Sequence, residues 1–107
     1  MRIIARRSLM TFLETRTRHR DWPALKAALD AWYGEVKKVE WSSTADVKWL
    51  YATASIISAD RVVFNIKGNS YRLVAAIDFE KAIVFSKWIG THADYDRIDV
   101  RTVQYGE

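Results

Sequence analysis

The stretch that decides the fold is residues 61–78, which read RVVFNIKGNSYRLVAAID. Residues 61–67 and 70–78 are two runs rich in β-branched and aromatic side chains, and Gly68-Asn69 separates them. Such a pair suits the positive φ values of a two-residue hairpin turn. The pattern therefore predicts an antiparallel β-hairpin that turns at these two residues.

A turn of known length fixes which residues face each other across a hairpin. Here it pairs Asn65 with Arg72 on one face of the sheet and Ile66 with Tyr71 on the other. The second face is apolar, whereas the first begins polar at the turn and becomes apolar farther along. Farther along, the apolar side chains on that first face are Val63, Val74, Ile83 and Phe85.

A third strand is predicted over residues 82–89, after a turn at residues 79–80. This register places Lys87 opposite Arg72, in one row with Asn65 and close to Lys67. Arg binds phosphate bidentately and Lys binds it as a point charge, so the row suits a phosphate. The competing interpretation is the solvated face of a half-buried sheet, which is common. The apolar continuation of the same face favours a site.

The first sixty residues carry helical patterns. One amphipathic helix is predicted over residues 2–18. A second begins after Asp21, where Trp22-Pro23 is a start signal, and apolar residues follow at intervals of three and four. Ser43 with Asp46 resembles a capping box that opens a short third helix. The sequence therefore predicts an α+β fold with N-terminal helices packed on a small antiparallel sheet.

The residues after the third strand are predicted to leave the sheet. Gly90 is expected to break the strand, and Thr91 with Asp94 offers a capping box for a short helix through about Ile98. Residues 100–105 are predicted to form either an edge strand or a tail. This segment brings His92 toward the end of the polar row.

Length and composition limit the class of protein. The 107 residues, half of them hydrophobic, predict one domain over residues 1–107. The chain has no cysteine, which excludes disulfides and thiol catalysis and fits a reducing cytoplasm. No run is long enough for a membrane span, so no membrane partner is expected. The net charge of +4 favours a polyanionic partner.

His92 is the most useful acid–base side chain near the row, because its unperturbed pKa is close to neutral. Tyr95 and Asp96 follow three and four positions later, so one helix places all three on adjacent faces. Each has a structural alternative, as a capping residue, a core aromatic or a surface charge. A metal site is not expected, since the two histidines, at 19 and 92, have poor ligand spacing.

Residues 61–99 resemble the C-terminal half of HigB toxins in the RelE superfamily, above all in FNIKGNSYRLV and KWIGTHADYDRI. The resemblance implies a RelE-like fold and a cytoplasmic endoribonuclease that cuts messenger RNA, in many relatives on the 70S ribosome. It also implies a HigA-like helix-turn-helix antitoxin, with operator DNA bound only through that antitoxin. RelE-type enzymes use no metal, no other cofactor and no covalent intermediate, because the 2′-hydroxyl of the substrate attacks the next phosphate.

Carried onto matching positions, the resemblance indicates two groups of residues. The expected catalytic group is His92, Arg72, Lys87, Tyr95 and Asp96. The expected RNA-binding group is Lys67 and Asn69, to which the predicted hairpin register adds Asn65. Arg61 is expected as a further RNA or ribosome contact. In this scheme the imidazole moves a proton, the cations stabilise the transition state, and the tyrosine stacks on or orients a base.

Two other functions remain open from the sequence. A gyrase-poisoning toxin of the ParE kind shares the architecture and needs no acid–base residue, so His92 beside Lys87 argues against it. A non-enzymatic RNA-binding module would use the basic face only to hold phosphates, and its binding would be salt-sensitive without product.

Overall fold

The fold is known from a computed structural model, which describes residues 1–104. The elements in chain order are β1 (Arg2–Ile4), α1 (Arg6–Glu14), α2 (Trp22–Lys38), α3 (Thr44–Leu50), β2 (Ser55–Ile56), β3 (Arg61–Ile66), β4 (Tyr71–Asp78), β5 (Ile83–Thr91) and α4 (His92–Tyr95). The five strands form one sheet in the order β1-β5-β4-β3-β2. The prediction of an α+β fold is confirmed.

The helices cover one face of the sheet. As predicted, α2 begins at Trp22 with Pro23 in its first turn, and its buried stripe is Leu25, Leu29, Trp32 and Val36. Phe64 of β3 meets Trp32 of this stripe edge-on, with ring centroids 5.3 Å apart. It also meets Tyr51, the residue after α3, edge-on at 5.2 Å. Edge-to-face aromatic pairs add to the free energy gained by burial. The core therefore lies between helices α1–α3 and the sheet, and Leu9 and Leu13 of α1 belong to it.

The prediction of one helix over residues 2–18 is wrong at both ends. Arg2–Ile4 forms a strand that pairs in parallel with the start of β5, so the sheet is mixed rather than antiparallel. An uncovered edge of β5 would leave backbone groups unpaired, and this pairing satisfies them. The helix itself ends at Glu14, and the chain continues in turns to residue 21.

The predicted hairpin is confirmed together with its register. Asn65 pairs with Arg72 and Ile66 with Tyr71. The turn differs in detail, because the positive φ values fall at Lys67 (53°) and Gly68 (60°) rather than at Gly68 and Asn69. The Ser70 N–H donates to the Lys67 carbonyl at 3.1 Å and closes the loop.

The predicted register of the third strand is wrong. The turn between β4 and β5 is longer than two residues, and Asp78 pairs with Ile83. A bulge in β5 between the partners of Val74 and Ala75 shifts the register again, so Arg72 pairs with Gly90. A bulge leaves one residue unpaired, and here that residue is Lys87. Lys87 is therefore not opposite Arg72 but about 10 Å farther back along β5.

Gly90 does not break the strand, since β5 runs through it to Thr91. A Cβ at this position would lie 2.5 Å from Cζ2 of the Trp88 indole, so the glycine makes room for that ring. Thr91 caps α4 as predicted, because its Oγ1 accepts a hydrogen bond from the Asp94 N–H at 3.1 Å. The helix ends at Tyr95, earlier than predicted.

Two smaller predictions also need correction. The Ser43 hydroxyl makes no capping hydrogen bond to α3, and the Asp46 carboxylate instead accepts from the Ser42 N–H at 2.8 Å. Residues 100–104 form a turn and a tail rather than a strand, and Tyr105 lies outside the described residues. No helix within residues 1–104 is long and apolar enough to cross a membrane.

Candidate functional site

The sheet face away from the main core carries the hairpin's polar residues and is partly covered by the C-terminal segment. Val63 and Val74 pair on this face and are fully buried, although they lie outside the core cluster. The Arg61 guanidinium donates from Nη1 to the carbonyls of Val100, at 3.0 Å, and Val103, at 2.9 Å. These contacts hold the C-terminal segment against the hairpin.

Arg72 is held in place at the turn end of this face. Its Nη2 donates to Oδ1 of Asn69 at 2.6 Å, and its Nη1 donates to the Asn69 carbonyl at 3.0 Å. Its Cζ lies 5.8 Å from the centroid of the Tyr95 ring, within cation–π range. Three of the predicted site residues thus meet, with Asn65 as the cross-strand partner of Arg72.

His92 joins the same end of the sheet through its backbone. Its N–H donates to the Ser70 carbonyl at 3.0 Å, which fixes the start of α4 against the hairpin loop. Nε2 of His92 lies 3.9 Å from Oδ2 of Asp96, and the two side chains are 50% and 66% exposed. The imidazole is therefore accessible to a ligand, and the aspartate holds it only loosely.

Besides its contact with Arg72, the Tyr95 ring packs against Trp88. Its ring centroid lies 6.3 Å from that of Trp88, with the planes tilted by 50°. Trp88 in turn lies over Gly90, the residue that faces Arg72 across the strands. A tyrosine between an indole and a guanidinium has a restricted orientation, as a base-stacking surface requires.

Two predicted site residues are not brought into this group. Lys87 lies over the Phe85 ring, with Nζ 5.5 Å from the centroid, in a cleft that Asp78 and Phe79 also line. Nη1 of Arg61 donates to two carbonyls of the C-terminal segment. The chain thus assembles His92, Arg72, Tyr95, Asp96, Asn65 and Asn69 at the end of the sheet that bears the hairpin turn.

Lys67 lies at the same end but faces a cluster that the sequence analysis missed. Its Nζ is 3.9 Å from Oδ2 of Asp21, the residue before α2. The Tyr71 hydroxyl donates to the same Oδ2 at 2.7 Å, and Nδ1 of His19 lies 2.5 Å from Oδ1. The guanidinium of Arg16 lies 5.3 Å from the Tyr71 ring centroid. The sequence signal was His19-x-Asp21, in which the aspartate was interpreted only as a helix start.

The electrostatics of this cluster favour an ionised Asp21. The hydrogen bond from Tyr71 is the largest influence that lowers its pKa, and His19 and Arg16 lower it further against the opposing effect of burial. Burial, together with the bond to Asp21, raises the pKa of Tyr71, so its hydroxyl stays protonated. Within residues 1–104, no group of three or more acidic or histidine side chains is placed to hold a metal ion.

Comparison with known proteins identifies the family. The model of the HigB toxin family, described as the RelE-like toxic component of a toxin-antitoxin system, matches residues 25–98. No individual curated protein matches the chain significantly. The matched region is more than half of the chain, and it contains the hairpin, Arg72, His92, Tyr95 and Asp96. The chain therefore belongs to the HigB toxin family, the RelE-like toxic components of toxin-antitoxin systems, in which the toxin has an antitoxin as its partner.

Proposed function

We propose that this toxin is an endoribonuclease that cleaves messenger RNA and so inhibits translation. The observation that carries the proposal is the position of Arg72, which Asn69 holds beneath the Tyr95 ring. The short helix α4 carries both Tyr95 and the accessible His92. A fixed guanidinium, an aromatic ring and an imidazole at one sheet end are what cleavage of a single RNA strand requires.

The reaction is an attack within the substrate. The 2′-oxygen of a ribose forms a bond to the adjacent phosphorus, and the bond from phosphorus to the 5′-oxygen of the next nucleotide breaks. The products are a 2′,3′-cyclic phosphate and a 5′-hydroxyl. One proton must leave the 2′-hydroxyl and another must reach the departing oxygen. His92 is suited to one of these transfers, and such catalysis contributes about 10²- to 10⁴-fold.

Arg72 is proposed to stabilise the negative charge that develops on the phosphate. Its guanidinium binds phosphate oxygens bidentately, and its hydrogen bonds to Asn69 fix its direction before substrate arrives. Preorganised charge of this kind is usually the largest single contribution to catalysis. Asn65, the cross-strand partner of Arg72, is proposed to bind the same RNA backbone.

Tyr95 and Asp96 have supporting roles in the proposal. The Tyr95 ring offers a surface for a splayed base beside the phosphate. Asp96, 3.9 Å from His92 in the free protein, orients the imidazole when substrate closes the gap. Lys67 contributes a cation at the hairpin turn, whereas Lys87 and Arg61 lie apart and contribute at most to binding of RNA beyond the cleaved bond.

The cellular setting follows from the family and the charge. We propose that the substrate is messenger RNA on the 70S ribosome. The net charge of +4 supports this, because a basic protein is attracted to the polyanionic RNA. The antitoxin partner is proposed to be a HigA-like helix-turn-helix protein through which operator DNA is bound. The site of action is the cytoplasm.

The test is induced expression of the wild-type chain without an antitoxin. The 5′ ends of cellular transcripts are mapped in translating cells and in cells with translation blocked, and Arg72→Ala serves as the inactive control. We expect cuts within translated reading frames that vanish under the block, whereas cuts that persist would indicate a ribosome-independent ribonuclease. Growth arrest with intact messages would overturn the proposal in favour of a gyrase-directed toxin.

A further inference from the structure

We propose that the cleft between α1 and β5 is a second base-binding site, which takes the base of a nucleotide within two positions of the cleaved bond. The inference rests on the proposed ribonuclease function and deepens it, because it says where the substrate is held beyond Arg72. The residues that line the cleft from α1 and from β5 are Ser8, Thr11, Phe12, Trp88 and Ile89.

The cleft exists because β1 is shorter than the strand it pairs with. β1 ends at Ile4, which pairs with Phe85, whereas β5 continues to Thr91. Within residues 1–104, no strand pairs with this edge of β5 beyond Phe85, and α1 contacts β5 instead. The space between them has a volume of about 390 Å³, which is ordinary for a site that binds a small molecule.

Two aromatic rings from different elements line the cleft. Phe12 and Trp88 are both half-buried, so part of each ring is open to solvent. Each ring also contacts a tyrosine, Phe12 with its centroid 5.9 Å from that of Tyr71 and Trp88 at 6.3 Å from that of Tyr95. Rings that are held in place before a ligand arrives suit stacking against a nucleobase, because every base offers a flat face.

Hydroxyl groups supply polar partners in the same cleft. The Thr11 hydroxyl donates its proton to the Arg7 carbonyl at 2.9 Å, which leaves its oxygen able to accept a hydrogen bond. Ser8, three residues earlier, adds a hydroxyl that can both donate and accept. A flat ring with a polar edge matches this combination of groups, whereas a purely apolar ligand would gain nothing from the hydroxyls.

Direct contacts join the cleft to the proposed catalytic site. Trp88 pairs with Val74, two residues from Arg72 on β4, so Trp88 and Arg72 lie on the same face of the sheet. The Tyr95 ring lies 6.3 Å from that of Trp88 and 5.8 Å from Cζ of Arg72. One side chain, Tyr95, therefore contacts both a wall of the cleft and the guanidinium. A base in the cleft and a phosphate at Arg72 can thus belong to one short stretch of RNA.

The charge around α1 favours RNA as the occupant. Residues 2–20 contain six arginines and one acidic residue, Glu14. Arg6 and Arg7 in the first turn of α1 are exposed, and that turn contains no acidic residue. Positive charge beside a cleft of this size attracts the phosphates that carry the base. The family model matches residues 25–98, so the α1 wall of the cleft lies outside the matched region.

The test uses synthetic RNA in which single nucleotides around the cleaved bond lack their base. Single-turnover cleavage by the full-length chain is measured in whichever condition, with or without ribosomes, supports wild-type cleavage. We expect an abasic nucleotide at one position to lower the wild-type rate at subsaturating protein by about 10- to 100-fold, the loss expected for one stacked base. Ser8→Trp, which fills the cleft, should lower cleavage of the intact RNA by a similar factor and cause no further loss with that abasic RNA.

Met10→Trp is the matched control and should cleave at the wild-type rate, because Met10 is 38% exposed on the side of α1 that faces α2. Circular dichroism reports whether each variant is folded, and Thr11→Trp provides a second cleft-filling variant if Ser8→Trp is unstable.

A loss in Ser8→Trp that is equally large with the intact RNA and with every abasic RNA would overturn the base-binding proposal while leaving the ribonuclease proposal in place. So would wild-type cleavage of intact RNA by Ser8→Trp, and loss of antitoxin binding in that variant would then assign the cleft to the antitoxin. A wild-type chain that cuts no RNA would overturn both proposals.

Discussion

Nη2 of Arg72 lies 2.6 Å from Oδ1 of Asn69, so the side chain expected to meet the phosphate is held by the loop just before it. A second hydrogen bond, from Nη1 to the Asn69 carbonyl, fixes the plane of the guanidinium. Because the loop makes both contacts, the geometry of the turn determines the direction of the charge. A cation fixed before substrate arrives needs no reorganisation during the reaction.

Arg72→Ala is therefore expected to reduce RNA cleavage by about 10²- to 10³-fold, because it removes a preorganised positive charge. Arg72→Lys keeps the charge but loses the bidentate geometry and is expected to recover only part of the rate. Asn69→Ala frees the guanidinium and should cost about tenfold. The measurement is single-turnover cleavage, with antitoxin binding as the check on folding. Full toxicity of Arg72→Ala would rule out the assigned site.

The Lys87→Ala variant distinguishes the observed register of β5 against β4 from the register that the sequence predicted. A lysine opposite Arg72 would share its effect on cleavage, whereas the observed Lys87 lies about 10 Å away along β5. We expect the Lys87→Ala rate to stay within about threefold of wild type, compared with the large loss for Arg72→Ala. Equal losses in the two variants would show that the substrate bridges this distance and that Lys87 belongs to the catalytic group.

The turn between β3 and β4 could be predicted from the sequence, whereas the turn between β4 and β5 could not. The Gly68-Asn69 turn is short and marked by a glycine, so the pairing of Asn65 with Arg72 followed from counting residues. The turn after Asp78 contains no glycine, and Ala82 supplies its positive φ of 57°. The bulge at Lys87 has no local sequence signal at all. Each change moves the register, and so the position of Lys87 could not be predicted.

The cluster around Asp21 was missed for a related reason. His19 and Asp21 are close in sequence, but Tyr71 and Lys67 meet Asp21 across about fifty residues of chain. Only the packing of the α1–α2 connection against the hairpin creates the cluster. Strand β1 is similar, because its pairing with β5 is a long-range contact that overrides the local helical pattern.

Gly90→Ala tests how Tyr95 is positioned. The new methyl group would lie 2.5 Å from Cζ2 of Trp88, so the indole must move, and the Tyr95 ring that packs on it loses its support. We expect a folded protein with an altered near-ultraviolet circular dichroism spectrum and about tenfold slower cleavage. Gly34→Ala is the matched control, because a Cβ there meets no atom within 4 Å. Unchanged cleavage in Gly90→Ala would mean that Tyr95 does not need this packing.

The lowered pKa of Asp21 makes the folded state sensitive to acid. Its carboxylate is stabilised when ionised, so this contribution is fully present above its ordinary pKa of 3.8 and is lost as the pH falls through the lower folded value. Asp21→Asn should therefore reduce the free energy of unfolding at pH 7 by about 1.5–3 kcal/mol, the contribution of a hydrogen bond to a charged group.

The difference between wild type and Asp21→Asn should begin to narrow below about pH 4, where the Asp21 carboxylate of the unfolded chain takes up a proton, and should be lost as the pH falls through the lower pKa of the folded state. Urea unfolding at a series of pH values measures it. Asp30→Asn is the control, since Asp30 pairs with Lys26 on an exposed helix surface, where ion pairs contribute little. A difference that stays constant from pH 7 to below about pH 4 would mean that the Asp21 charge does not stabilise the fold. The amide would then disturb only the packing between the α1–α2 connection and the hairpin.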